Sequence, residues 1–180
     1  MKATEILMAE HRNIEKILDG LEGALSKAEG GAFDGRRFEI ALAFLREYAD
    51  RRHHGKEEER LFPAMNRRGM PFEGGPLHCM LEEHKYGRGL LASVAAALPG
   101  AQAGDQAARR TVTEDFGRYI AFLREHIHKE DNVLFMMADG ILTPEDQKAL
   151  EAEFGAFDGR KIGEKELVIA LSEVAGNLVS

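Results

Sequence analysis

Apolar residues recur three or four positions apart along four stretches of the 180-residue chain, a spacing that predicts helices. From Thr4, read as an N-cap, Ile6, Leu7, Ile14, Ile17, Leu18, Leu21 and Leu25 mark the first helix up to Gly30-Gly31. Asp34 opens a second through Phe38, Leu42, Phe44, Leu45, Tyr48, His53, Glu57 and Leu61, ending at Pro63 or within 65–69. GMPFEGGP, residues 69–76, is a connection. Leu77 to Leu98 reads as a third helix stopped by Pro99-Gly100, and Asp105 to about Met137 as a fourth closed by Gly140. Thr143 and Pro144 start a short helix to about Phe154, and a last amphipathic helix spans Glu164 to Leu178. No run alternates apolar and polar residues between hairpin turns, so no sheet is expected. The expected fold is all-α: an antiparallel up-down-up-down four-helix bundle over residues 1–140, with a C-terminal helical extension, 141–180, packing on the bundle or on a partner.

Two polar insertions in the apolar stripes are copies of one another. His53-His54-Gly55-Lys56-Glu57-Glu58-Glu59-Arg60-Leu61-Phe62 and His126-Ile127-His128-Lys129-Glu130-Asp131-Asn132-Val133-Leu134-Phe135 both read H-x-x-K-E-x-x-x-L-F, at a shift of 126 − 53 = 73 residues. The same shift lands Glu10-His11 on Glu83-His84 and Leu18 on Leu91. Two half-sites result, His11/His53/Glu57 and His84/His126/Glu130, in a chain with seven histidines.

Residues four apart on a helix project from nearly the same face. His53/Glu57 and His126/Glu130 can each offer an imidazole and a carboxylate to one point, and His11 and His84 add an imidazole from each of the other two helices. A charged Glu among Leu, Phe and His stripes costs several kcal/mol unless it is paired or metal-bound. Two carboxylates can bridge two ions and four imidazoles can be shared two per ion, leaving a position for a small molecule. Which two histidines share an ion is open. The mixed N/O set suits iron, and also manganese or zinc.

Other residues have plainer readings. His54 could replace His53, pairing with Glu58, but position 54 maps onto Ile127. His128 is two residues past His126 and faces solvent. His78 and Glu82 break the repeat and read as a surface pair. Tyr48 and Tyr119 read as core packing, Arg88 as the partner of a neighbouring acid, Cys79 as a packed small side chain, and Glu58 and Glu59 as a solvated face.

The formal charge is −7 with Lys and Arg interspersed among the acids, which argues against a nucleic-acid partner. One cysteine leaves no intrachain disulfide or CxxC pair. No apolar run approaches the roughly 20 residues that span a bilayer, and the N-terminus lacks a signal-peptide core. A cytoplasmic protein without a membrane contact is expected.

The paired H-x-x-K-E-x-x-x-L-F segments, with E-H on the first and third helices, resemble the hemerythrin-like, or HHE cation-binding, family over about residues 4–140. The resemblance implies an antiparallel four-helix bundle around two iron ions, an Fe-O(H)-Fe centre. It implies His11, His53, Glu57, His84, His126 and Glu130 as ligands, with both Glu bridging. Oxygen-carrying hemerythrins have a further histidine where this chain has Arg88, and an Asp after the last helix's His. The set here is more similar to bacterial di-iron proteins linked to iron-centre repair and to nitrosative or oxidative stress, although the cysteine-bearing N-terminal segment of many of those is missing. The implied function is binding or reaction of O2, NO or peroxide at an open iron position, in sensing, iron handling or stress response. The competing readings are a di-iron enzyme, peroxidase-like, catalase-like or NO-reducing, and a binding module with a structural metal. In the last, the C-terminal helices recruit a protein partner or a second copy.

Overall fold

The computed structural model describes residues 1–176, and every regular element among them is helical. In α1 (Ala3–Glu29) Lys2, not Thr4, holds the N-cap position, and Glu5 reaches back to its N–H at 2.9 Å. Thr4 lies inside the first turn and donates its hydroxyl to Asp139 Oδ1 at 2.9 Å. α2 (Gly35–Phe44) starts where Asp34 accepts from the Arg37 N–H at 3.1 Å. It runs on without a break through two π-wound segments, Leu45–His54 and Glu57–Leu61, into α3 (Phe62–Arg67). α4 (Pro76–Gln102) follows the glycine-rich connection. α5 (Gln106–Lys129) is capped by Asp105, which accepts from two backbone N–H groups at 2.8 and 3.2 Å. A third π-wound segment, Glu130–Leu134, leads into α6 (Phe135–Ile141). α7 (Pro144–Asp158) and α8 (Glu164–Glu173) complete the described chain.

Pro99-Gly100 does not stop α4, and Gly140 does not close α6. A proline in a helix interior loses one rung and costs roughly 3 kcal/mol. The turn beyond Pro99 offsets part of that by burying Ala101 completely. The Ala103 N–H closes it on the Pro99 carbonyl at 3.1 Å, with Gly104 at φ 100 just after. α6 ends one residue past Gly140, before the extended backbone of Leu142 and the Thr143 cap of α7. α7 itself outlasts Phe154 by a turn because Phe157 is buried. The expected last helix, Glu164 to Leu178, ends at Glu173 among the described residues, and Leu178 lies outside them.

The buried apolar side chains form two clusters rather than one. The larger holds Ile14, Leu18, Phe38, Leu45, Leu91, Val94, Phe116, Leu123 and Ile127, and takes in Ala170 and Val174 of the C-terminal segment. The smaller holds Leu7, Leu61, Phe62, Leu77, Met80, Leu134, Phe135 and Phe154. Along each of the four long helical stretches, the histidines and glutamates of the repeat fall between residues of one cluster and residues of the other. A polar layer thus crosses the molecule between two apolar ones.

Candidate metal centre

His11, His53, His54, His84, His126, Glu57 and Glu130 are all buried, none more than 5% exposed. They gather into two adjoining groups, His11/His53/Glu57/Glu130 and His54/His84/His126. The carboxylates stand between them. Glu57 Oε1 lies 3.6 Å from His53 Nε2 and its Oε2 3.5 Å from His84 Nε2. Glu130 Oε2 lies 3.3 Å from both His11 Nε2 and His126 Nε2, with Oε1 4.0 Å from His84 Nε2.

Each imidazole is held from behind through Nδ1. The partners are Asp131 for His11 at 2.7 Å, Glu10 for His53 at 3.1 Å and Asp50 for His54 at 3.3 Å. Glu58 holds His84 and Glu83 holds His126, both at 2.7 Å. An ionised carboxylate only accepts, so it holds a proton on Nδ1 and turns Nε2 towards the layer.

The repeat explains these props. Lys56 bonds Glu10 at 2.6 Å, and Glu10 holds His53; Lys129 bonds Glu83, and Glu83 holds His126. The residues after Glu57 and Glu130 cross to the other repeat, Glu58 to His84 and Asp131 to His11. The motif phenylalanines cross as well: Phe62 stacks on His84 with ring centroids 6.0 Å apart, and Phe135 on His11 at 5.6 Å. Every shared letter of E-H and H-x-x-K-E-x-x-x-L-F is therefore a ligand candidate, its prop, the lysine that pairs with that prop, or packing around it.

Two π-wound segments obey the same shift, Glu57–Leu61 and Glu130–Leu134. The third, Leu45–His54, has no counterpart, because residues 118–127 are ordinary α-helix. An α-helix turns each residue through roughly 100°, and i→i+5 winding turns it through less. His53 and His54 consequently both face inward. Ile127, which His54 matches in the repeat, joins the larger apolar cluster instead. His54 stacks on His84 with centroids 3.8 Å apart and an interplanar angle of 13°.

Charge in the layer is in conflict. Burial, followed by the neighbouring Glu130, pushes the Glu57 carboxyl well up. Burial also opposes charge on Glu130, but the imidazoles of His126 and His11 outweigh it and hold that carboxyl down. Burial lowers His53, helped by the neighbouring imidazoles of His11 and His54, and takes His54 to about 3. His11 goes the other way: burial lowers it, yet Asp131 and Glu130 together raise it to about 9.

The family model of the hemerythrin HHE cation binding domain matches residues 2–138. The chain belongs to the hemerythrin HHE family. Uncharacterized proteins of Mycobacterium bovis and Mycobacterium tuberculosis are 25% identical to it over 177 residues, 96% of this chain and 68% of theirs. No solved structure matches. Among the described residues no helix is long and apolar enough to cross a membrane.

The hemerythrin assignment fits the donor set. His11 Nε2, His53 Nε2 and all four carboxylate oxygens of Glu57 and Glu130 are fully buried without a protein hydrogen-bond partner. Six orphaned lone-pair groups at one point are an expensive arrangement for a folded protein, and a cation relieves all of them. The structure brings the six residues of the two half-sites together and adds His54, which the repeat had argued against.

Other readings change in detail. Glu58 is not a free solvated acid, since it holds His84 and pairs with Arg88 at 2.8 Å. Arg88 also reaches Asp50 at 2.8 Å. Cys79 is exposed rather than packed. His78, Glu82 and His128 are exposed, and Tyr48 and Tyr119 are buried in the larger apolar cluster.

Proposed function

We propose that this hemerythrin-family protein holds two iron ions and binds, or reacts with, O2, NO or peroxide in sensing, iron handling or stress response in the cytoplasm. The observation that carries the reading is the placement of Glu57 and Glu130, fully buried and facing imidazole nitrogens of both groups. The long helical stretches act as an antiparallel four-helix bundle whose middle layer is the site. His54, His84 and His126 would hold one ion, His11 and His53 the other, and the two carboxylates would be shared. When bound, the ions supply Lewis acidity and a redox couple that no side chain of the layer offers. The two-imidazole end has fewer protein donors and is where a small ligand fits.

The chain's own residues supply the rest. Asp131, Glu10, Asp50, Glu58 and Glu83 orient the rings, and Phe62 and Phe135 keep water from them. The test is metal content by mass spectrometry on iron-grown protein, with the optical spectrum after anaerobic reduction and re-exposure to air. Two irons per chain and new bands with air are expected. Zinc alone, or no colour after iron loading, would replace this reading by a structural metal, and sustained peroxide turnover would make the protein an enzyme. Glu57→Ala or Glu130→Ala should each lose at least one ion per chain; a variant that keeps both sinks the bridging assignment.

A further inference from the structure

Lys56 and Lys129 occupy the same place in the repeat but not the same surroundings. Lys129 is 34% exposed in its side chain and pairs with Glu83. Lys56 is fully buried, with Nζ 2.6 Å from Glu10 Oε1 and 2.6 Å from Asp158 Oδ1. Arg52 joins them: Nε lies 3.1 Å from Glu10 Oε1 and a terminal nitrogen 3.0 Å from Asp158 Oδ1. It also donates to the Ile162 carbonyl at 3.4 Å and approaches Glu164 at 3.7 Å. Glu10 turns its other oxygen to His53 Nδ1.

Asp158 is the last residue of α7, beyond residues 2–138 that match the family. The turn after it is pressed against the strip that carries His53. A Cβ on Gly55, between His54 and Lys56, would meet the Phe157 ring at 2.9 Å, and one on Gly163 (φ 71) would meet the Tyr48 backbone at 2.6 Å. Neither approach is open to a larger residue.

We propose that the turn joining α7 to α8 is a positioning device for the His11/His53 end of the centre, with Asp158 as its positioning residue. The inference rests on the two-metal reading above. The cations of Lys56 and Arg52 are shared between two acids, Glu10 and Asp158. Without the Asp158 charge both cations fall on Glu10, whose oxygens they then take from His53. The ring loses its prop, and the ion at that end loses an oriented ligand. The other end, propped through Glu83 and Lys129, has no such dependence. Loss of an orienting hydrogen bond behind a metal-bound histidine weakens metal binding by about 10- to 100-fold.

The experiment uses the full chain and Asp158→Asn, with two readouts. In the metal-free protein, nitrogen-15 spectra of the histidine rings should show a protected Nδ1–H for His53 and His126 in the wild type, and loss of the His53 signal alone in the variant. In a cobalt(II) titration the wild type should take two ions, and the variant one at unchanged affinity and a second about 10- to 100-fold more weakly. If the variant unfolds, Asp158→Glu, which keeps the charge but moves it by one methylene, should show the same one-ended loss at smaller size. An unchanged His53 signal, or equal weakening of both ions, overturns the proposal. A wild type that takes fewer than two ions instead sinks the two-metal reading, and the ring spectra still decide the positioning role.

Discussion

His54 stands where a copy of the repeat would put isoleucine, and its chemistry follows from winding rather than from its neighbours in sequence. Its Nδ1 is held by Asp50, and Asp50 is also bound by Arg88. Burial opposes charge on Asp50, but the bonds from His54 and Arg88 outweigh it and bring the carboxyl to about 2. His54→Leu removes a third imidazole from one end and a buried base from the stack on His84. Metal affinity at that end should fall by at least about tenfold, in the range that changes behind the ligands already produce. At pH 7 the metal-free protein should keep its urea midpoint, because Asp50 retains Arg88 as a partner and the neutral buried imidazole is replaced by an apolar side chain of similar size. A variant with wild-type affinity for both ions would remove His54 from the ligand set.

The same residue marks the limit of what the sequence discloses. Glu10, Glu83, Lys56 and Lys129 were visible as repeated letters, and the pairing of His53 with Glu57 and of His126 with Glu130 followed from i,i+4 spacing. Nothing in a hydrophobic period of 3.6 announces i→i+5 winding, so residues 45–54 read as ordinary helix, and the mapping onto Ile127 sets His54 aside. The carboxylate props were likewise missed at Glu58, where a run of three acids looks like a solvated face. Yet the mapping of Glu58 onto Asp131 was available, and two acids kept at the same offset are a signal of their own.

Elements meet through glycines at the C-terminal end. A Cβ on Gly20 of α1 would overlap the Val174 carbonyl, whereas one on Gly23, a turn further on, would meet nothing within 4 Å. Gly23→Ala should therefore stabilise the protein by about 0.5–1 kcal/mol through helix propensity alone. Gly20→Ala gains the same propensity but must push α8 away, so hydrogen exchange over residues 164–176 should speed up. Unchanged exchange there would mean that α8 is not seated by this contact. The end of α4 carries a related lesson. Pro99-Gly100 is a sound stop signal locally, and tertiary burial of Ala101 overrides it.

For the whole molecule, the polar layer makes stability depend on pH when no metal is bound. His54 is held neutral down to about 3 against an ordinary value of 6.5, so the unfolded chain binds more protons between those values. Stability is then lost as pH falls below 6.5. His11, raised to about 9, contributes fully below 6.5 and loses its contribution as pH rises through 9. Urea midpoints of metal-free protein should therefore peak near pH 6.5 and fall on both sides. A midpoint flat from pH 5 to 9 would show that neither ring is perturbed as its surroundings require. Fold class was legible at this scale from helical periodicity, but the division of the core into two apolar layers was not, since the polar positions look like interruptions until the helices are brought together.

The crossed props carry a consequence for how such a chain arose. His11 of the first repeat leans on Asp131 of the second, and His84 of the second leans on Glu58 of the first. A chain of half this length would own every type of residue in the motif and brace its second histidine, as Glu10 braces His53, yet be unable to brace its first. Its site would exist only where two copies met about a twofold axis. Duplication and fusion would turn that homodimer into one polypeptide, and once the halves no longer had to be identical, one could acquire His54 while the other kept an isoleucine.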